Sequence, residues 1–161
     1  MTETDLSLYA VGTLTDEEAR DAVAWRYGGE YAVYNFPDWA ECAARGWSIT
    51  DAAKRENAYF SVRYAGEFLG FFHIMDRLGR VELGVGIKPE LCGQGHGRAL
   101  MERALETIRQ TRGHTPVQLS VRTFNIRAVR CYKRAGFTIT GTRYEDLGTA
   151  PGEMYIMQAA V

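Results

Sequence analysis

The chain has 161 residues, a formal net charge of −1 and 46% hydrophobic residues. A chain of this length predicts a single domain with a core of its own, and the composition excludes wholesale disorder. The balanced charge gives no case for a nucleic-acid partner, because nucleic-acid-binding surfaces usually carry a strong basic excess.

The cysteine pattern and the start of the chain bear on metal content and compartment. The 3 cysteines, Cys42, Cys92 and Cys131, include no C-x-x-C pair, so we expect no metal site. A small, odd number of cysteines favours a reducing compartment. The first residues lack the pattern of a signal peptide, and no apolar run reaches transmembrane length. We therefore expect a cytoplasmic protein with no membrane partner.

The first third of the chain predicts one strand followed by two helices. Thr15, with Glu18 three residues later, forms the capping-box pattern that marks the start of the first helix. Pro37 opens the second helix after a stretch rich in tyrosine. The predicted ranges are 6–11 for the strand, 15 to about 26 for the first helix and 37 to about 46 for the second.

The middle of the chain predicts three strands joined by tight turns. The strands cover residues 58–64, 67–75 and 81–87, and the turns fall at Ala65-Gly66 and Leu78-Gly79. Short apolar runs separated by such turn residues are typical of a meander of β-hairpins.

After Gly97 the apolar residues change to a helical period, with Leu100, Ala104 and Ile108 four residues apart. The predicted ranges beyond this helix are strand 117–121, helix 126–135, and strands 137–143 and 154–159. The complete order is β-α-α-β-β-β-α-β-α-β-β. This order predicts an α/β fold in which helices cover a mixed sheet.

A glycine-rich loop joins the third strand of the meander to the long helix. The first N–H groups of a helix lack internal partners, and together with the helix dipole they attract anions. Glycines let the backbone approach a phosphate closely. The loop fits neither the dinucleotide pattern nor the P-loop pattern, and a helix-capping turn without ligand is the alternative. The residues predicted to bind a pyrophosphate are Gly93, Gln94, Gly95, His96, Gly97 and Arg98.

Two motifs resemble the GNAT superfamily of N-acetyltransferases. The family's acetyl-CoA loop, Arg/Gln-x-x-Gly-x-Gly/Ala, appears as residues 92–97, with Cys92 in place of Arg or Gln. The family's later signature, Asn-x-x-Ala-x-x-x-Tyr-x-x-x-Gly-Phe, matches at every marked position. Those positions are Asn125, Ala128, Tyr132, Gly136 and Phe137. The resemblance covers roughly residues 58–159.

The resemblance implies a fold, a cosubstrate and separate roles for the two parts of the chain. The fold is α/β (α+β), with a central mixed, mostly antiparallel sheet flanked by helices on both faces. Acetyl-CoA is the cosubstrate, and its acetyl group passes directly to an amine. Residues 1–161 form a single domain, in which 1–57 set acceptor specificity and 58–161 bind acetyl-CoA and catalyse. Family members are often dimers, so a homodimer is also implied.

The resemblance also implies roles for residues near the cosubstrate. The Val85 backbone N–H meets the thioester carbonyl, next to Gly86, while Ile87 pairs with the pantetheine arm. Asn125 contacts the CoA arm, although it also fits a helix N-cap. Tyr132 is the proton donor to the leaving thiolate, and packing between helix and sheet is its alternative role.

The general base and the acceptor pocket are less constrained by the sequence. Glu82 precedes the thioester-binding residues on the same strand and is our candidate base and substrate contact, with a surface carboxylate as the alternative. Some relatives carry a glutamate base at the position of Ser120, and because serine is a poor base, Glu82 or a chain of water molecules remains for this role. Tyr31 and Tyr34 are candidates to line the acceptor pocket by cation–π contact, or to pack in the core.

We expect the acceptor to be a small molecule with a primary amine. A protein N-terminus or a lysine is the alternative acceptor, and a non-catalytic CoA-binding module is the alternative of a different class.

Overall fold

The structure is a computed structural model that describes residues 5–145 and 151–160. Its strands are β1 (Tyr9–Thr13), β2 (Tyr59–Tyr64), β3 (Glu67–Arg77), β4 (Arg80–Ile87), β5 (Pro116–Arg122), β6 (Thr138–Glu145) and β7 (Gly152–Ala160). These strands form one sheet in the order β1-β2-β3-β4-β5-β7-β6. The β4–β5 pair is parallel, whereas β1–β2, β2–β3, β5–β7 and β6–β7 are antiparallel. The predicted mixed, mostly antiparallel sheet is confirmed.

Five α-helices accompany the sheet in the described part of the chain. They are α1 (Asp16–Ala24), α2 (Trp39–Ala44), α3 (Ala52–Arg55), α4 (His96–Arg112) and α5 (Ile126–Arg134). Short 3-10 helices occupy Leu6–Leu8, Gly29–Tyr34, Ser48–Thr50 and Pro89–Leu91. Across the described residues, no helix is both long enough and apolar enough to span a membrane.

The chain divides into two compact units. The first unit contains the residues up to His73 together with Val85–His96, and the second contains Ile74–Gly84 together with the chain from Gly97 onward. The core of the first unit joins α1 and α2 to strands β2 and β3. Its buried residues are Leu14, Ala19, Ala22, Val23, Trp25, Cys42, Ile49, Tyr59 and Phe71.

The predicted capping box is present at the start of α1. The Thr15 side chain accepts a hydrogen bond from the Glu18 N–H at 3.1 Å, and the Glu18 carboxylate accepts one from the Thr15 N–H at 3.0 Å. Glu18 also accepts two hydrogen bonds from Arg63 on β2, each 3.0 Å long. One carboxylate therefore both caps the helix and ties it to the sheet.

The second unit is built on the apolar face of α4. The residues predicted for that face are all buried, and they are Leu100, Met101, Ala104, Leu105 and Ile108. Strand β5 contributes Val117, Leu119 and Val121 to the same unit, each less than 5% exposed. Strand β7 pairs with β5 from Pro116↔Ala160 to Arg122↔Met154.

The structure differs from the sequence predictions mainly near the N-terminus. The predicted strand 6–11 is wrong over Leu6–Leu8, because the Asp5 side chain accepts a hydrogen bond from the Ser7 N–H at 3.0 Å and caps a 3-10 turn. Helix α1 ends at Ala24, two residues early. The second helix begins after Asp38, whose carboxylate caps it through the Glu41 N–H at 2.8 Å, so Pro37 lies outside.

Candidate active site

The end of strand β4 is held by hydrogen bonds within the first unit. The Tyr27 hydroxyl donates a 2.6 Å hydrogen bond to the carbonyl of Ile87. Burial raises the pKa of the Tyr27 phenol well above its usual value, with smaller contributions from Cys92 and Glu90, so the phenol keeps its proton as a donor. The Lys88 N–H donates to the Leu69 carbonyl at 2.9 Å.

Gly86 fits against a ring that leaves no room for a side chain. A Cβ atom built at this position lies 2.7 Å from Cε1 of Phe71, closer than a carbon contact allows. Val85, Gly86 and Ile87 are all partly exposed. The backbone of β4 therefore packs closely against Phe71 on one side and remains accessible at the residues predicted to meet the thioester.

The glycine loop leads directly into helix α4. Gly93 and Gly95 adopt left-handed φ angles of 77° and 87°, and the residues from Gly93 to Gly95 are exposed. A Cβ at Gly95 would meet no atom within 4 Å, so there is open space beside the loop. This space lies next to Gly95, just before the 17-residue helix α4, where the sequence predicts a pyrophosphate site.

The side chains of the loop turn toward protein atoms rather than toward that open space. The Cys92 Sγ lies 3.7 Å from the Ile87 carbonyl oxygen, and the Gln94 amide donates to the Glu90 carbonyl at 2.8 Å. Arg98 forms an ion pair with Glu102 at 3.2 Å. All three side chains therefore have partners within the protein, and pyrophosphate binding by the loop backbone stays a prediction.

His96, the last loop residue, contacts two tyrosines. Its Nδ1 atom lies 2.8 Å from the Tyr9 hydroxyl, and its ring centroid lies 4.8 Å from that of Tyr64. Sequence reasoning did not identify Tyr9. The contact joins residues 87 positions apart, so the sequence carried no local signal for it.

In the second unit, helix α5 contains Tyr132 and is capped by Asn125, the two site residues predicted from the later motif. The Asn125 side chain accepts a hydrogen bond from the Ala128 N–H at 3.2 Å, so it serves as the helix N-cap. Tyr132 is partly exposed, and its ring centroid lies 6.4 Å from that of Phe137. The backbone of Phe137 also donates to the Tyr132 carbonyl at 3.0 Å.

Glu82 lines an open cavity of about 230 Å³ in the second unit. Its lining residues are Met75, Glu82, Leu83, Gln118, Leu119, Ser120 and Arg143. Glu82 and Gln118 are register partners on the parallel strands β4 and β5, which places both side chains on one face of the sheet. The cavity therefore brings the candidate base together with Ser120.

The charged groups of this cavity are already paired. The Glu82 carboxylate lies 3.6 Å from the Arg77 guanidinium and 3.4 Å from that of Arg80. Arg143 donates to Ser120 Oγ at 3.1 Å and forms an ion pair with Glu145 at 2.7 Å. The two carboxylates, of Glu82 and Glu145, are thus ion-paired with three guanidinium groups.

Tyr31 and Tyr34 lie on the 3-10 helix Gly29–Tyr34 of the first unit. Their rings stack with centroids 6.5 Å apart, and the Tyr34 ring meets that of Tyr27 edge-on at 6.4 Å. Both tyrosines are partly exposed, and their role toward an acceptor stays a prediction. Within residues 5–145 and 151–160, no group of three or more His, Cys, Asp or Glu side chains could hold a metal ion.

The sequence matches the model of the acetyltransferase (GNAT) family over residues 16–137. A mycothiol acetyltransferase from Streptomyces bingchenggensis is 38% identical over 130 residues, which cover 77% of this chain and 42% of that protein. The chain spans less than half the length of the curated relatives that it matches.

Solved structures share the fold. A chimera of the spermidine N-acetyltransferase SpeG from Vibrio cholerae and hSSAT superposes with a TM-score of 0.70 at 21% identity, covering 95% of both chains. The Salmonella typhimurium protein yncA, solved with its cofactor acetyl-CoA, superposes with a TM-score of 0.65 at 16% identity over 95% of this chain and 94% of that one.

Proposed function

We propose that this chain, which belongs to the acetyltransferase (GNAT) family, moves the acetyl group of acetyl-CoA to a primary amine of a small molecule. The observation that carries the acceptor proposal is the cavity of about 230 Å³ lined by Glu82. Its size suits a small molecule, and it contains a carboxylate that can accept a proton from an amine. The proposed setting is the cytoplasm, and the three free cysteines support a reducing compartment.

We assign acetyl-CoA binding to the glycine loop and the end of β4. The pyrophosphate binds the main-chain N–H groups from Gly93 to Arg98 at the start of α4, an assignment supported by the open space next to Gly95. The pantetheine arm and the thioester pair with the backbone of Val85 and Ile87. A fixed backbone N–H at the thioester oxygen stabilises the charge that develops there, typically by a few kcal/mol.

The chemistry requires a base and an acid. An alkyl amine with a pKa of about 10.4 is neutral in only about one molecule in 10³ at pH 7, so it must lose a proton before its nitrogen attacks the thioester carbon. We assign that proton to Glu82, directly or through a water molecule. When the C–S bond breaks, Tyr132 donates its phenolic proton to the sulfur of the leaving thiolate.

The charges around the cavity bear on which amines fit. The cavity lining carries one carboxylate, Glu82, and one guanidinium, Arg143. Arg77 and Arg80 pair with Glu82, and Glu145 pairs with Arg143, so positive groups outnumber negative ones in this ion-paired set. A polyamine would bring several positive charges to this site and be repelled. We therefore propose an acceptor with a single amine. The similarity to mycothiol acetyltransferases supports a small-molecule acceptor.

The test is a thiol-release assay with acetyl-CoA and a library of single amines, polyamines and peptides with free N-termini or lysines. We expect turnover with a single amine. Glu82→Gln should lower kcat/KM at least about a hundredfold, the usual effect of losing a general base. Glu106→Gln is the matched control, since Glu106 is also ion-paired, to Arg103 at 3.0 Å, and we expect it to change kcat/KM less than twofold.

Three outcomes would contradict the proposal in different ways. Turnover of peptides alone would indicate a protein acetyltransferase. Binding of CoA without turnover of any amine would indicate a non-catalytic CoA-binding module. Failure to bind CoA, measured by calorimetry, would remove the cosubstrate assignment. Sedimentation of the same sample tests the homodimer that the family resemblance implies.

A further inference from the structure

Tyr9 joins the first strand of the sheet to the glycine loop. It is only 7% exposed, and its hydroxyl lies 2.8 Å from Nδ1 of His96, which is the first residue of α4. By contrast, the Gln94 amide binds the carbonyl of Glu90, four positions earlier in the same segment. The contact between Tyr9 and His96 therefore attaches the loop to a separate element.

The imidazole of His96 is held from two neighbouring strands. Tyr9 and Tyr64 are register partners on β1 and β2, and their ring centroids are 4.8 Å apart. The Tyr64 ring is also 4.8 Å from that of His96. The Tyr9 ring also contacts that of His96, edge-on with centroids 5.8 Å apart. Because the hydrogen bond involves the Tyr9 hydroxyl, Tyr9→Phe removes this bond and keeps both ring contacts.

The phenol of Tyr9 keeps its proton, because burial raises its pKa, with a smaller contribution from Tyr64. A protonated phenol can donate to Nδ1 or accept from it, so the bond forms with either neutral tautomer of the His96 ring. In both cases the bond fixes the orientation of the side chain.

The loop needs an external attachment because its own backbone is permissive. Gly93 and Gly95 adopt left-handed φ angles and lack side chains that could restrict the chain. An anion site made of main-chain N–H groups works only while those groups point to one place, and ordering a mobile loop on binding lowers the affinity. His96 directly follows Gly95 as the first residue of α4, so holding its side chain fixes the end of the loop.

We propose that Tyr9 is a positioning residue, which holds the glycine loop in its anion-binding conformation through the hydrogen bond to His96. The inference rests on the proposed use of acetyl-CoA. It predicts that loss of the Tyr9 hydroxyl weakens binding of the pyrophosphate portion of CoA and leaves binding of the pantetheine portion unchanged.

The first experiment compares Tyr9→Phe with Tyr64→Phe, which removes a neighbouring hydroxyl and keeps the ring against His96. The measurement is the Kd of CoA by calorimetry, repeated with pantetheine, which lacks the pyrophosphate. We expect Tyr9→Phe to weaken CoA about fivefold, as the loss of one hydrogen bond implies, and to leave pantetheine within twofold. Tyr64→Phe should leave both within twofold.

The second experiment uses His96 itself. An asparagine places an oxygen near the position of Nδ1 and can still accept from Tyr9, whereas an alanine cannot. We expect His96→Ala to weaken CoA about fivefold and His96→Asn, which keeps a hydrogen-bonding partner for Tyr9, to weaken it less. Adding Tyr9→Phe to His96→Ala should cause no further loss, because both substitutions remove the same bond.

Several results would overturn the inference. Unchanged CoA affinity in Tyr9→Phe would do so, and so would an equal loss for CoA and pantetheine, which would indicate general destabilisation. Additive losses in the double variant would show that Tyr9 does not act through His96. If the unsubstituted protein bound no CoA, the proposed function would fail, and the inference would fail with it.

Discussion

Tyr132 is the residue on which the proposed chemistry depends most directly. Tyr132→Phe removes the phenolic proton and keeps the ring that lies near Phe137. We expect kcat to fall about a hundredfold, within the range usual for a lost general acid, while the Kd of CoA stays the same. Rapid-quench measurement of acetyl transfer and calorimetry check the two quantities separately.

Tyr144→Phe provides the control for Tyr132, because Tyr144 is 67% exposed and its hydroxyl has no assigned role. Its kcat should match that of the unsubstituted protein. If Tyr132→Phe also retained full turnover, the tyrosine would serve only to pack the helix, which is the alternative that the sequence left open.

Single residues also show what the sequence could and could not predict. The roles of Gly95 and Asn125 follow from local patterns, since a loop before a helix and a helix N-cap involve neighbouring residues. The partners of Glu82 and His96 depend on tertiary structure. Arg77 lies across a turn from Glu82, and Tyr9 is 87 positions from His96. Such tertiary contacts between side chains produce no periodic pattern in the sequence.

At the scale of elements, strand β4 depends on a glycine that packs against a ring. Gly86→Ala places a Cβ 2.7 Å from Phe71, whose ring is 8% exposed and lies 5.9 Å from that of Trp25. Because the ring has little room to move, we expect a loss of about 1–3 kcal/mol in the free energy of unfolding, measured by urea denaturation.

Gly141→Ala is the matched control for this strand, since Gly141 also lies in a strand and a Cβ there meets nothing within 4 Å. Its stability should equal or slightly exceed that of the unsubstituted protein. Equal stability of the two alanine variants would mean that β4 can shift away from Phe71, which contradicts the close packing.

Elements differed in how well the sequence predicted them. All the residues that the apolar period predicted for the inner face of α4 are buried. A long amphipathic helix repeats its apolar signal over several turns, which makes this prediction reliable. The short helices Gly29–Tyr34 and Ala52–Arg55 were missed, since one or two turns carry no repeat. Residues 6–8 were predicted as strand, whereas the Asp5 side chain caps a 3-10 turn there.

At the scale of the whole molecule, the first unit contains three tyrosines whose pKa is raised by burial. Tyr9, Tyr27 and Tyr59 all belong to it, and burial is the largest cause that raises the pKa of each. In an unfolded chain a tyrosine has a pKa of about 10. Above that pH the folded state therefore binds more protons than the unfolded state, and the free energy of unfolding falls as the pH rises.

We expect stability to be fully present below about pH 10 and to be lost progressively above it. The check is urea denaturation, followed by circular dichroism, at pH 8 and pH 11.

Tyr27→Phe removes one buried phenol together with its 2.6 Å bond to Ile87. This variant should be less stable at pH 8 but should lose less stability between the two pH values. Tyr144→Phe removes an exposed phenol and should lose as much as the unsubstituted protein. An identical loss in all three proteins would show that the buried phenols do not cause the alkaline transition, and that the ionisation of other groups drives it.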